Sequence, residues 1–152
     1  MSITVTTEKQ FESDVEAFLI SDEGGYTRGN GTYNPKLGLY PDKLVSFIQC
    51  TQPREWATFE RQNDIDPVRK FCVAFNNACD MDGVLHVLRN GFKHRGTTFK
   101  VCYFKPESAL NDTAGIQYAE NEVECYRQWY YSADTKKSVD MVLVINGIPV
   151  FA

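Results

Sequence analysis

Apolar and polar positions alternate most plainly near the end of the chain. There, two β-branched runs, Ser138-Val-Asp-Met-Val-Leu-Val-Ile145 and Ile148-Pro-Val-Phe-Ala152, flank Asn146-Gly147. Asn-Gly tolerates the positive φ angles of a tight type I′ turn, so the stretch predicts a β-hairpin. Side chains of its first strand alternate between faces, with Ser138, Asp140, Val142 and Val144 on one and Val139, Met141, Leu143 and Ile145 on the other. Both sets are apolar apart from the strand's first residues, which predicts burial on both sides. With a two-residue turn, Ile145 pairs with Ile148, Leu143 with Val150 and Met141 with Ala152.

Upstream the period becomes helical. Thr7-Glu-Lys-Gln10 has the form of a capping box, and Phe11, Val15, Phe18 and Leu19 follow at helical spacing, predicting a first helix from Glu8 to about Ser21. Gly24-Gly25 stops it, and the glycine-rich stretch from Tyr26 to Leu39 reads as a long loop. Pro41 suits the first turn of a helix carrying Leu44, Val45, Phe47 and Ile48, and Thr51-Gln52-Pro53 opens another with Trp56 and Phe59 on one face. Asp66-Pro67 begins the clearest helix, in which Val68, Phe71, Cys72, Phe75 and Cys79 form one stripe before Asp82-Gly83 ends it.

After the apolar segment Val84 to Leu88, the stretch Phe92 to Phe104 reads as a hairpin turned near Gly96. Pro106 to Gly115 reads as a polar loop, and Glu122 to Tyr131 alternates as a strand. Ser132 to Lys137 is the turn that feeds the final strand. The sum is a mainly helical N-terminal half followed by a mixed sheet: an α/β or α+β domain.

Composition narrows this little. With 152 residues, 43% hydrophobic and 13% aromatic, one domain with a substantial core is expected over residues 1–152. A net charge of −4 disfavours a surface that grips nucleic acid everywhere, but leaves room for a local basic patch. No transmembrane run or signal-peptide pattern appears, which favours a cytoplasmic protein. The five cysteines form no Cys-x-x-Cys pair. They argue against structural zinc and a disulfide framework, and Cys72 and Cys79 read as small core hydrophobes. Nucleophilic-serine and phosphate-loop motifs are missing, so those chemistries fall away.

Candidate chemistry therefore rests on acids and a basic stretch. Asp140 stands out because an ionised carboxylate in a strand buried on both faces needs a cation, a metal or hydrogen-bond donors. On the first helix, Glu12 projects beside Leu19 at the margin of the apolar stripe and Glu16 lies farther out, with a solvated helix flank as the plainer reading of both. Lys93, His94, Arg95 and Lys100 form the most basic stretch of an acidic chain, suited either to a phosphate backbone or to an ordinary solvated hairpin.

Ser138-Val-Asp-Met-Val-Leu-Val-Ile-Asn-Gly-Ile-Pro-Val150 resembles the hairpin of the N-terminal nuclease domain in the restriction (R) subunit of type I restriction enzymes. In that family the Asp opens the strand, and Glu-Leu-Lys follows the Asn-Gly turn to complete a PD-(D/E)xK motif. Further pieces match in order: Phe11-Glu12, Gly24-Gly25-Tyr26, Thr51-Gln52-Pro53, Leu88-Arg89-Asn90-Gly91, the Pro106 segment, Asn121, and Arg127-Gln128 before Tyr131-Ser132.

The resemblance implies a PD-(D/E)xK nuclease-like mixed sheet flanked by helices. It also implies a type I site-specific deoxyribonuclease that hydrolyses double-stranded DNA with Mg2+. Asp140 takes the metal-binding position, and Glu12, with Glu16 as second choice, takes the helix acid. This sequence stops before the Glu and Lys positions, so it reads as a piece of a longer protein and is expected not to cleave DNA itself. ATP would belong to motor domains outside this sequence, with methyltransferase and specificity subunits as partners of the full-length protein; no cofactor-binding residues are expected in this stretch. Arg89, Lys93, Arg95 and Arg127, with Gln128, are candidate DNA contacts, and the arginines and lysine serve equally as partners of acids or strand caps. The alternatives are a nuclease-like module that docks DNA or subunits without catalysis, and a structural domain in which Asp140 bonds backbone N–H groups.

Overall fold

A computed structural model describes residues 3–105, 112–130 and 138–151. The chain is a mixed α/β protein whose N-terminal part, after the first helix and a short strand, is a run of helices: α1 (Ile3–Leu19), β1 (Thr27–Arg28), α2 (Pro41–Thr51), α3 (Pro53–Gln62), α4 (Pro67–Asp82) and α5 (Val84–Asn90). A small hairpin follows, β2 (Phe92–His94) and β3 (Thr97–Phe99), then α6 (Asp112–Ala119), β4 (Val123–Tyr130), β5 (Ser138–Ile145) and β6 (Ile148–Phe151). Two compact units emerge. One holds the chain up to Asn30, Val123–Ile145 and the residues from Pro149 on; the other holds Gly31–Glu122 with Asn146–Ile148.

The first unit is built on a sheet of order β1-β4-β5-β6. β1 runs parallel to β4, and β4 pairs antiparallel with β5 in an unbroken register from Val123↔Ile145 to Tyr130↔Ser138. The expected burial of β5 on both faces is corrected. Val142 and Val144 are buried, but Met141, Leu143 and Ile145 are only half-buried and Asp140 is exposed.

The first helix starts earlier than the capping-box pattern predicts, so Thr7 lies inside it. Its faces are also turned. Phe11 and Phe18 are 68% and 56% exposed, whereas the Glu12 and Glu16 side chains are only 16% and 14% exposed. The reason is electrostatic: arginines on β1 and β4 draw the acidic edge of the helix inward, as described below.

The second unit carries the aromatic core. α2, α3 and α4 each begin with proline at the first turn, where its missing N–H costs nothing. Asp66 caps α4 by accepting from the Arg69 N–H. The expected stripes of these helices are the ones that face the core: Leu44, Val45, Phe47 and Ile48 from α2, Trp56 and Phe59 from α3, and Phe71, Cys72 and Phe75 from α4 are buried. Phe71 lies at the middle, with ring centroids 5.6 Å from Trp56, 5.3 Å from Phe59, 5.5 Å from Phe92 and 5.1 Å from Phe99.

The expected hairpin after Gly91 forms, but ends at Phe99 rather than Phe104, and turns on Arg95 and Gly96, both at positive φ. The polar-loop expectation is corrected in part, since α6 begins at Asp112; residues 106–111 and 131–137, and with them the turn expected over Ser132 to Lys137, lie outside the described residues.

The Asn146-Gly147 turn belongs to this second unit, and both residues have positive φ, 49° and 80°. Asn146 is 1% exposed, and its amide is spent inward. Nδ2 donates to the Val101 carbonyl and to Asn121 Oδ1, and Oδ1 accepts from the Glu122 N–H. Gly147 carbonyl accepts from the Tyr40 N–H at 2.9 Å. The dipeptide thus supplies both the turn's backbone and a buried polar anchor. Among the described residues no helix is long and apolar enough to cross a membrane.

Candidate functional site

The strand register decides which candidate acids share a surface. Residues paired across an antiparallel ladder project to the same side, and neighbours along a strand project to opposite sides. Arg127 pairs with Met141, so its side chain belongs to the face of Met141, Leu143 and Ile145. Asp140 belongs to the other face, with Val142 and Val144.

On the Arg127 face lies an ion-pair cluster. Arg127 Nη2 is 3.1 Å from Glu12 Oε2 and its Nη1 is 3.9 Å from Glu16 Oε1, while Arg28 Nη2 is 3.4 Å from the same Glu16 oxygen. Arg127 is 29% exposed, so the pair with Glu12 is partly shielded from water, whereas Arg28 at 71% is open to it. Cys125, on the same face, has its thiol pushed up by burial and then by the Glu16 charge, with Arg127 opposing. The first-helix acids are therefore engaged by two guanidinium groups on one side of the sheet. The structure does not bring them to Asp140.

Asp140 stands at the start of β5 with its side chain in solvent. The argument that singled it out, a carboxylate costly to bury, does not apply to an exposed group. Gln128, between the pairs Arg127↔Met141 and Trp129↔Val139, occupies the backbone position opposite Asp140; its side chain lies outside the described residues. The nearest acid on Asp140's face along β4 is Glu124, four positions from Gln128 and so about 13 Å away at roughly 3.3 Å per residue. Glu124 is 1% exposed and occupied: Oε1 accepts from the Tyr126 hydroxyl at 3.1 Å and Oε2 from the Asn30 N–H at 3.2 Å.

Magnesium wants near-octahedral oxygen ligation with one or two carboxylates in reach. Among the described residues no group of three or more His, Cys, Asp or Glu side chains is placed to hold a metal ion. A single exposed aspartate, with the helix acids across the sheet and bound to arginines, does not fit that ion, and no reaction step is derived through one.

The basic candidates separate as well. Arg127 serves the acids. Arg95 Nη1 reaches the Gln62 carbonyl at 3.4 Å and Lys100 Nζ the Asn90 carbonyl at 3.2 Å. Arg89 is exposed near the end of α5. Lys93 lines a cleft of about 820 Å³ within the second unit. The same cleft is lined by a side of α4 outside its apolar stripe, with Arg69 and Lys70 near one end of the helix and Met81 and Asp82 at the other. His86 and His94 also border it. His94 is pulled below the usual imidazole range, chiefly by burial and then by Arg95. Its ring centroid sits 4.8 Å from that of Phe59.

Two polar residues inside the resemblance pieces have structural work. Gln52 is buried and clamps Lys100 from both sides, its Nε2 donating to the Lys100 carbonyl and its Oε1 accepting from the Lys100 N–H, each at 2.7 Å. Asn121 Oδ1 accepts from the Tyr103 N–H and from Asn146, and Asn121 Nδ2 donates to the Tyr103 carbonyl. Neither bond partner lies close in sequence, so residue type alone gave no signal for them. No protein-family model matches this sequence, and no curated protein and no solved structure matches it significantly.

Proposed function

We propose that this chain is a nuclease-like, DNA-engaging domain of the kind found at the front of type I restriction R subunits, and that alone it binds double-stranded DNA without cleaving it. The observation that carries the reading is the placement of Asp140. It is the third residue of β5 and exposed to solvent, on a strand that returns into β6 through an Asn-Gly turn with both φ angles positive. That is the position which the resembling family gives to its metal-binding Asp, in a mixed sheet preceded by a helix. In the full-length protein of that kind, Mg2+ would support phosphodiester hydrolysis, and methyltransferase and specificity subunits would be the partners.

A second reading, a non-catalytic docking module, is favoured by one specific observation: Glu12 and Glu16 are held by Arg127 and Arg28 on the face opposite Asp140. The test is a magnesium-supplemented assay of the purified 152-residue protein on duplex DNA, reading retention and cleavage together. Retention without cleavage is expected. Cleavage abolished by Asp140→Ala overturns the inactive assignment, and no retention at low salt overturns the DNA reading.

A further inference from the structure

Three cations of the second unit that take part in none of the described salt bridges, Arg69, Lys70 and Lys93, border one cleft. One carboxylate, Asp82, borders the same cleft. Its sign is thus opposite to the chain's net −4, and uncompensated cations gathered in a concavity raise the local concentration of anions.

The shape of the cleft selects among anions. The α4 residues that line it recur every four positions, from Arg69 through Val73 and Asn77 to Met81, which makes one continuous side of the helix. From Arg69 to Asp82 that side is roughly 20 Å long at 1.5 Å per residue. A mononucleotide or inorganic phosphate would occupy only a part of it. Apolar side chains of Val73, Ala74, Ala78 and Phe92 line the cleft together with the amides of Asn77 and Asn90. An extended polyanion with apolar surfaces between its charges satisfies both features.

We infer that this cleft takes the phosphodiester backbone of a nucleic-acid strand, with Arg69, Lys70 and Lys93 as its phosphate contacts. The inference rests on the DNA reading for the identity of the ligand, and places the grip on α4 and the β2–β3 hairpin of the second unit. Cation contacts to phosphate release counterions, so they register in the salt dependence of binding.

The experiment measures binding of the intact chain to a duplex, to one of its strands and to a mononucleotide over a series of salt concentrations. The variant Arg69→Ser/Lys70→Ser/Lys93→Ser is compared with Arg54→Ser/Arg61→Ser, which removes exposed cations from α3 outside the cleft. For the triple variant, weakening of about tenfold or more on duplex or single strand is expected, with the log–log salt slope reduced by about 2 to 3. The α3 variant is expected to change the slope by less than about 1 per cation, because it touches only the diffuse charge. Circular dichroism of the triple variant shows that it is folded. Binding of wild type to duplex that the triple variant retains in full overturns the cleft and leaves the DNA reading standing. Absence of binding to any nucleic acid overturns both. Equal affinity for the mononucleotide and the strands overturns the extended ligand.

Discussion

Arg127 on β4 is paired with Glu12 on α1 at 3.1 Å, across an interval of 115 residues in the sequence. This contact explains why the first helix turns its acids inward and leaves Phe11 and Phe18 in solvent. Removing the guanidinium would leave Glu12 and Glu16 close together without their shared cation. Arg127→Met is expected to destabilise the protein by about 1–3 kcal/mol, between the ranges for exposed and buried pairs. Adding Glu12→Gln should recover part of that loss. A double-mutant cycle by denaturant unfolding measures the coupling, and strictly additive effects would refute it.

The aromatic cluster makes a second expectation. Phe71 is fully buried and its ring meets four others. Phe71→Ala is expected to cost about 3–5 kcal/mol, the usual range for emptying such a site. Equilibrium unfolding monitored by near-ultraviolet circular dichroism reads it. A loss under about 1 kcal/mol would mean that the cluster is not the centre of its unit.

Gly147 has a φ of 80°, and a Cβ added there would lie 2.6 Å from the Tyr40 carbonyl oxygen and 2.7 Å from the Leu44 nitrogen. Gly147→Ala therefore meets both backbone strain, about 1–3 kcal/mol, and immovable backbone atoms. Its thermal midpoint should fall well below that of Gly25→Ala, whose added carbon meets nothing.

His94 gives stability a pH dependence of definite sign. Burial and Arg95 lower its pKa below the ordinary 6.5. Above that value both states are neutral at this ring and stability is unaffected. As pH falls through 6.5 the unfolded chain binds the proton first, and stability declines until the folded ring protonates too. Denaturant midpoints between about pH 7.5 and about pH 5 should fall for wild type and fall less steeply for His94→Gln. Equal slopes would exclude His94 as the cause.

Thiol reactivity should rank by burial. Cys72 is buried, with its pKa pushed up to about 12, and Cys50 is exposed. Brief alkylation of the folded protein followed by peptide mass spectrometry is expected to mark Cys50 first and spare Cys72 until denaturation, since the thiolate is the reacting form.

The parts legible in the sequence were those fixed by short-range rules. The stripes of α2, α3 and α4, the prolines that open them, and the Asn146-Gly147 turn follow from spacing and φ preference alone. What escaped was set by distant partners. Two residues pairing with a strand far along the chain, Thr27 and Arg28, carry too little pattern to announce β1. The orientation of α1 depended on Arg28 and Arg127, and no hydrophobic periodicity reports on those. The cleft-lining side of α4 carries no single chemistry to mark it, because Arg69, Val73, Asn77 and Met81 share helical spacing but not residue type.

The parallel pairing of Thr27 with Glu124 has a consequence for the order of folding. Closing a loop of that length costs about 4 kcal/mol of chain entropy before any constant term. The helices between the two strands pack on one another and on the β2–β3 hairpin without that closure, and only Asn146–Ile148 joins their unit from beyond β4. During synthesis, which runs from the N-terminus, β1 has no partner until β4 has emerged, by which time α2 to α5 and the β2–β3 hairpin are available to fold. The unit that carries Asp140 and the Arg127 ion pairs is thus the late-forming one, and a ribosome-bound chain arrested before β4 should protect the aromatic core while α1 remains exchangeable.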